Sequence, residues 1–88
     1  MSDKYYTYLI LTDTNKLYCG YTNDIEKRFK KHVDGTASKF TRANKPVKLV
    51  YYEVHNSKSD AMKAECRIKK LRRPQKEELI STWEKSND

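Results

Sequence analysis

The chain has 88 residues, 35% of them charged, with nineteen Lys/Arg against twelve Asp/Glu and a net charge of +7. That length suits one domain with a thin core and leaves no room for a second. No apolar run is long enough to span a bilayer, the Met-Ser-Asp-Lys start has no signal-peptide core, and two cysteines, Cys19 and Cys66, are too few for a disulfide framework or a cysteine zinc site.

These exclusions predict a cytoplasmic domain with reduced, partly buried thiols, without excluding the nucleus. The positive charge favours polyanions, nucleic acid first and an anionic membrane surface second. Tyr5 to Leu11 is a continuous run of aromatic, β-branched and aliphatic residues and reads as a strand. Thr12-Asp13-Thr14-Asn15 is turn chemistry, and Leu17 to Tyr21 is a second short strand. A hairpin folded about residue 13 would set Tyr8 opposite Tyr18. Asn23 with Glu26 three residues on resembles a capping box, opening a helix that runs to about Val33. Ile25, Phe29 and Val33 form its expected apolar stripe, bordered by Arg28 and His32, which should look back at the hairpin.

Residues 34 to 46 read as a polar loop closed by Pro46. Val47 to Val54 is a third strand, whose near-continuous apolar centre predicts an interior place in the sheet. Ser57 or Ser59 would cap a helix over about 58 to 72, with Ala61, Ala64, Ile68 and Leu71 as its buried stripe. Pro74 suits the first turn of a last helix to about residue 85, packed through Leu79, Ile80 and Trp83. The expected order is ββαβαα: an α+β fold with a small three-stranded, mostly antiparallel sheet flanked by helices.

Five spaced residues carry the candidate chemistry: Tyr8, Tyr18, Arg28, His32 and Glu65. Glu65 lies on an inward helical stripe, where an unpaired carboxylate costs several kcal/mol, so it calls for a metal ion or a partner such as Arg28, Arg67 or Lys69. A lone carboxylate can hold Mg²⁺ when phosphate and water complete the shell, although an ion pair at the edge of the stripe fits the position equally. Arg28 and His32, one helical turn apart, can grip a phosphate and move a proton; singly, each also fits a solvated arginine and a structural histidine. Most of the seven tyrosines must pack strands, and nothing in residue type alone selects the reactive ones. Lys39, Arg42, Lys45 and Lys48 around Phe40, with a second cluster of Lys69, Lys70, Arg72 and Arg73, suit a nucleic-acid backbone.

Taken in order, Tyr6-Thr7-Tyr8, Tyr18-Cys19-Gly20, Thr22 to Arg28, His32 and Glu65 make the chain resemble the GIY-YIG nuclease family, over roughly residues 5 to 80 and most closely its short stand-alone members. Tyr6 and Thr7 stand where that family has Gly and Ile, and Cys19 stands for a second Ile. The asparagine many members carry near the end of the domain has no clear counterpart, Gln75 being the nearest amide. The resemblance implies a single catalytic domain spanning residues 1–88 that acts as a metal-dependent endonuclease. Tyr8 would be the base on water, His32 its proton partner, Tyr18 a water and phosphate positioner, and Arg28 the stabiliser of phosphorane charge. Glu65 would hold one Mg²⁺ or Mn²⁺. Lys39, Arg42, Lys45, Lys69 and Arg72 would contact nucleic acid, DNA before RNA. Without an attached DNA-reading domain, specificity would be low or come from a protein partner, possible roles lying in DNA repair or processing. The alternatives are a binding module of the same fold with little catalysis and, last, a basic scaffold for an acidic protein.

Overall fold

The computed structural model describes residues 4–86; Met1-Ser2-Asp3 and Asn87-Asp88, the ends of the expected 1–88 unit, lie outside the described residues. The elements are β1 (Tyr5–Thr12), β2 (Leu17–Thr22), α1 (Ile25–Val33), α2 (Lys39–Ala43), β3 (Pro46–His55), α3 (Lys58–Lys69) and α4 (Arg73–Ser86). The sheet is wholly antiparallel in the order β2-β1-β3, so the predicted α+β class and helix-flanked three-stranded sheet are borne out.

Alternation along β1 divides the sheet into two faces. Leu9 packs with Cys19, Val50, Tyr51 and Ile68 in the buried core. On the same face, the Thr7 hydroxyl donates to the Ala61 carbonyl at 2.8 Å, so its burial under α3 leaves no hydroxyl unpaired. Ala61 and Ala64 are small enough for α3 to lie close to the strands. Tyr8, on the opposite face, looks towards α1. At the free edge of β3, Trp83 of α4 meets both Tyr51 (6.4 Å between ring centroids) and Tyr52 (5.5 Å), two side chains that leave the strand in opposite directions. Arg73 donates to the carbonyl (2.7 Å) and side-chain (3.2 Å) oxygens of Asn15, tying the start of α4 to the hairpin turn. Asn15 sits there at φ 62, a left-handed conformation that asparagine tolerates.

Several local expectations are corrected. Tyr8 pairs with Gly20, and Tyr18 with Ile10: the hairpin is slipped by two residues from a fold about residue 13. A two-residue slip preserves the face, so both tyrosines still project from the same side. Strand β3 lies at an edge, not inside; its apolar run is explained by helices on both sides of the sheet, α4 and α1. The cap of α1 is Asp24, whose side chain accepts from Lys27 N at 3.1 Å. The inward face of α1 runs 25-28-29-32, with His32 in the place assigned to Val33, which is 57% exposed. Of the two serines expected as the α3 cap, Ser57 fills the role, while the helix ends at Lys69, short of the expected 72, and Cys66 is exposed rather than partly buried. The supposed loop contains α2, capped by Ser38 through a hydrogen bond from Thr41 N.

Replacing Leu9 with Ala should lower stability by about 2–5 kcal/mol, whereas Val33→Ala should stay within about 0.5 kcal/mol, both read from urea unfolding midpoints. Equal losses would place α1 differently against the sheet.

Candidate active site

An open cleft of about 450 Å³ runs along the β2 side of the molecule. Tyr8, Tyr18, Gly20 and Thr22 reach it from the strands, Asn23 and Arg28 from the start of α1, and Lys58 and Glu65 from α3. Four of the five residues singled out from sequence, Tyr8, Tyr18, Arg28 and Glu65, therefore share one cavity wall. The fifth, His32, is 1% exposed and stands behind Tyr8, its Nε2 hydrogen-bonded to the Tyr8 hydroxyl at 2.9 Å.

The local reason is Gly20. A Cβ at this position would lie 2.6 Å from the Tyr8 hydroxyl and 2.9 Å from the ring carbon bearing it. The absent side chain is thus the space in which the Tyr8 ring crosses β2. The Tyr18 ring packs edge-on to His32 (4.9 Å) and stacks on Phe40 of α2 (5.8 Å). On the far side of the imidazole, Nδ1 is 2.7 Å from Thr41 Oγ1, which is 2.8 Å from Ser38 Oγ. A continuous chain of polar atoms thus runs Tyr8–His32–Thr41–Ser38.

Burial sets the electrostatics of this chain. Desolvation is the main cause raising the Tyr8 pKa well above the usual phenol value, reinforced by Tyr18 and opposed by the Arg28 charge. Desolvation, and then Arg28, lower the His32 pKa to about 4, so the imidazole is neutral at pH 7. Burial and the Glu65 charge push the Cys19 thiol up to about 11, which makes it inert packing rather than a nucleophile. Among the described residues, the Arg28 guanidinium has no hydrogen-bond or ion-pair partner.

Glu65 is half-buried, and its carboxylate lies 3.6 Å from Lys69 Nζ, one turn on. Arg67 instead pairs with Glu53, through contacts of 2.8 and 2.9 Å. Among the described residues, no group of three or more His, Cys, Asp or Glu is placed to hold a metal ion. This donor set fits a hard cation held through one carboxylate with substrate and water oxygens, and does not fit an all-protein cage.

The nucleic-acid candidates are more dispersed. Lys39, Arg42, Lys45, Lys69 and Arg72 are exposed, and none lines the cleft, although Lys69 reaches its rim through Glu65. Lys39 and Arg42 stand on α2 rather than in a loop. Gln75 lies elsewhere, accepting from Arg72 N at 2.9 Å at the start of α4. Asn23, expected as the helix cap, lines the cleft instead, and Lys58, Thr41 and Ser38 are not among the sequence candidates. The Ser38-x-x-Thr41 spacing of a helix cap was a usable signal for the last two.

A model of the GIY-YIG catalytic domain matches residues 4–78. The UPF0213 protein YazA of Bacillus subtilis (strain 168) is 41% identical over 87 residues, covering 99% of this chain and 88% of that protein. A UPF0213 protein of Staphylococcus saprophyticus is 46% identical over 79 residues, covering 90% and 96%. The solution NMR structure of the UPF0213 protein BH0048 from Bacillus halodurans superposes with a TM-score of 0.58 at 38% identity, covering 90% of this chain and 84% of that one.

Two outcomes follow from the site's packing and charge. Gly20→Ala should cost about 1–3 kcal/mol in thermal or urea unfolding, because the Tyr8 ring must move. Because the folded His32 pKa lies below that of the unfolded chain, the unfolded state binds more protons between about pH 6.5 and pH 4. The contribution of neutral His32 is whole above that window and is lost as pH falls through it. On the order of 3 kcal/mol should disappear between pH 7 and pH 4 in wild type, and far less in a His32→Gln variant.

Proposed function

The chain belongs to the GIY-YIG catalytic-domain family, and from that membership we propose that it is a metal-dependent endonuclease that hydrolyses DNA phosphodiester bonds in one step, with low intrinsic sequence preference. The supporting observation is the cleft itself: a guanidinium without a protein partner, two phenols and a half-buried carboxylate line it, with a neutral imidazole bonded behind one phenol.

A phosphodiester in this cleft would meet the Arg28 guanidinium, which can take two phosphoryl oxygens and offset the charge that grows on them as water adds. Tyr8 alone is a poor base, since burial opposes its ionisation. Its bond to His32 supplies the missing acceptor. As the attacking water gives a proton to the Tyr8 oxygen, the Tyr8 proton passes to His32 Nε2. The hydroxide oxygen forms the new bond to phosphorus, and the bond to the leaving sugar oxygen breaks, that oxygen taking its proton from solvent in the open cleft. The Arg28 charge that disfavours imidazolium in the free protein is offset by the bound phosphate, so substrate favours the transfer. Tyr18, held by Phe40, positions water and phosphate in the same cleft. Glu65 would hold one Mg²⁺ or Mn²⁺, which when bound polarises the phosphate and the leaving oxygen.

The exposed cations, Lys39, Arg42, Lys45, Lys69 and Arg72, would add a salt-sensitive, sequence-independent grip on the backbone, with any site selection supplied by a protein partner. The same basic surface supports the second reading, a nucleic-acid-binding module without turnover, to which the Glu65–Lys69 pair lends weight because it occupies the only cleft carboxylate among the described residues.

Supercoiled plasmid, incubated with and without Mn²⁺, separates the two. Wild-type protein should nick it only with the ion, and Arg28→Ala and Glu65→Ala should each slow nicking by about 10²–10³-fold while retaining the wild-type circular dichroism. Nicking by Glu65→Ala at the wild-type rate would reject the nuclease assignment.

A further inference from the structure

We infer that Thr41, backed by Ser38, is a positioning residue that fixes His32 in the tautomer with its proton on Nδ1, leaving the Nε2 lone pair aimed at the Tyr8 phenol; as a statement about catalysis it rests on the nuclease reading above.

His32 and Thr41 are each 1% exposed, so no bulk water competes for their polar atoms. Each ring nitrogen therefore has one protein partner: Tyr8 at Nε2 and Thr41 at Nδ1. A neutral imidazole offers one donor and one acceptor, and its two partners must be matched to them. A phenol is far more acidic than an aliphatic hydroxyl, with an ordinary pKa near 10, and is the stronger donor to a nitrogen lone pair. Nε2 then accepts from Tyr8, and Nδ1–H must donate to Thr41 Oγ1. Thr41 can accept because its own proton has an outlet in Ser38 Oγ at 2.8 Å. Ser38 also receives Thr41 N at 3.1 Å, so the hydroxyl that caps α2 is the same one that orients the threonine. A histidine that presents one nitrogen for chemistry is commonly fixed by the hydrogen bond at its other nitrogen. Here that bond comes from a five-residue helix in a segment whose composition reads as loop. The arrangement also serves the charged form: when Nε2 takes a proton, Nδ1–H keeps its acceptor and does not have to reorganise.

The test uses ¹⁵N-histidine-labelled protein and needs no turnover for its first arm. In wild type, the His32 resonances should show a protonated Nδ1 and an unprotonated Nε2 at pH 7. Thr41→Val keeps the shape and removes the acceptor; its His32 should shift towards the Nε2–H form, and Thr41→Ser should restore the wild-type pattern. In metal-dependent nicking, Thr41→Val should lower kcat by about 10–100-fold with KM unchanged, and Thr41→Ser should recover most of the rate. Wild-type His32 carrying its proton on Nε2 would overturn the inference, and that measurement stands even if Thr41→Val does not fold. An unchanged tautomer in folded Thr41→Val would overturn it as well. Plasmid left intact by wild type would reject the nuclease reading alone, since the tautomer is read independently.

Discussion

The cleft depends on the vacancy above Gly20. Because β2 carries no side chain there, the Tyr8 ring lies across the strand, and its hydroxyl reaches both the solvent-facing cleft and the buried face of α1. One phenol can therefore touch a solvent-borne substrate and a dry histidine at once. Any Cβ at position 20 would displace the ring and break the link between the two environments. Glycine is needed here for space and not for a left-handed backbone, since Gly20 is not among the positive-φ residues. This also explains why the departures Thr7 and Cys19 from the family's tripeptides do not disturb the wall of the cleft. Both lie on the α3 face, one donating to Ala61 and the other in the core.

The second organising feature is a conflict of charge. Arg28 and His32 share the inner face of α1, so the guanidinium that suits a phosphate also discourages the imidazole from holding a proton. In the free protein the conflict resolves towards neutral histidine, the form able to accept one. Tyr8, meanwhile, is held as a neutral phenol by the burial that its ring makes possible. Two groups that look ill-suited to base catalysis in isolation, an overly weak acid and an overly weak base, form a matched donor and acceptor at 2.9 Å.

Much of this was legible in the residues, and the misses have specific causes. Strands over Tyr5–Leu11 and Val47–Val54 declared themselves by β-branched and aromatic content, and the hairpin slip left the face of both tyrosines intact because side chains alternate with period two. Apolarity alone points to Val33 as the inner residue of α1, and burial does not follow it there. His32 is buried in place of Val33 because Tyr8 and Thr41 satisfy both its nitrogens, which removes the usual cost of hiding a polar ring. Helix α2 escaped notice because five residues are too few to show a period. The edge position of β3 was hidden by its cover: a strand flanked by helices reads as interior even when one row of its backbone groups has no neighbouring strand.

Glu65 shows how the two sides of the sheet contribute to a single site. It belongs to α3, on the face opposite α1, yet it shares the cleft with Tyr8 and Arg28 because β2 is an edge strand with no further strand to separate them. Its backbone carbonyl lies near Cys19 Sγ, at 4.0 Å, while its carboxylate turns outward to Lys69. A carboxylate at the border of a buried helical stripe keeps access to water and so escapes most of the desolvation that full burial would impose. It also stays near enough to act electrostatically on Tyr8. Placing the acid on one side of an edge strand and the base and guanidinium on the other keeps the charged groups out of the core beneath, and lets them meet across one strand's width.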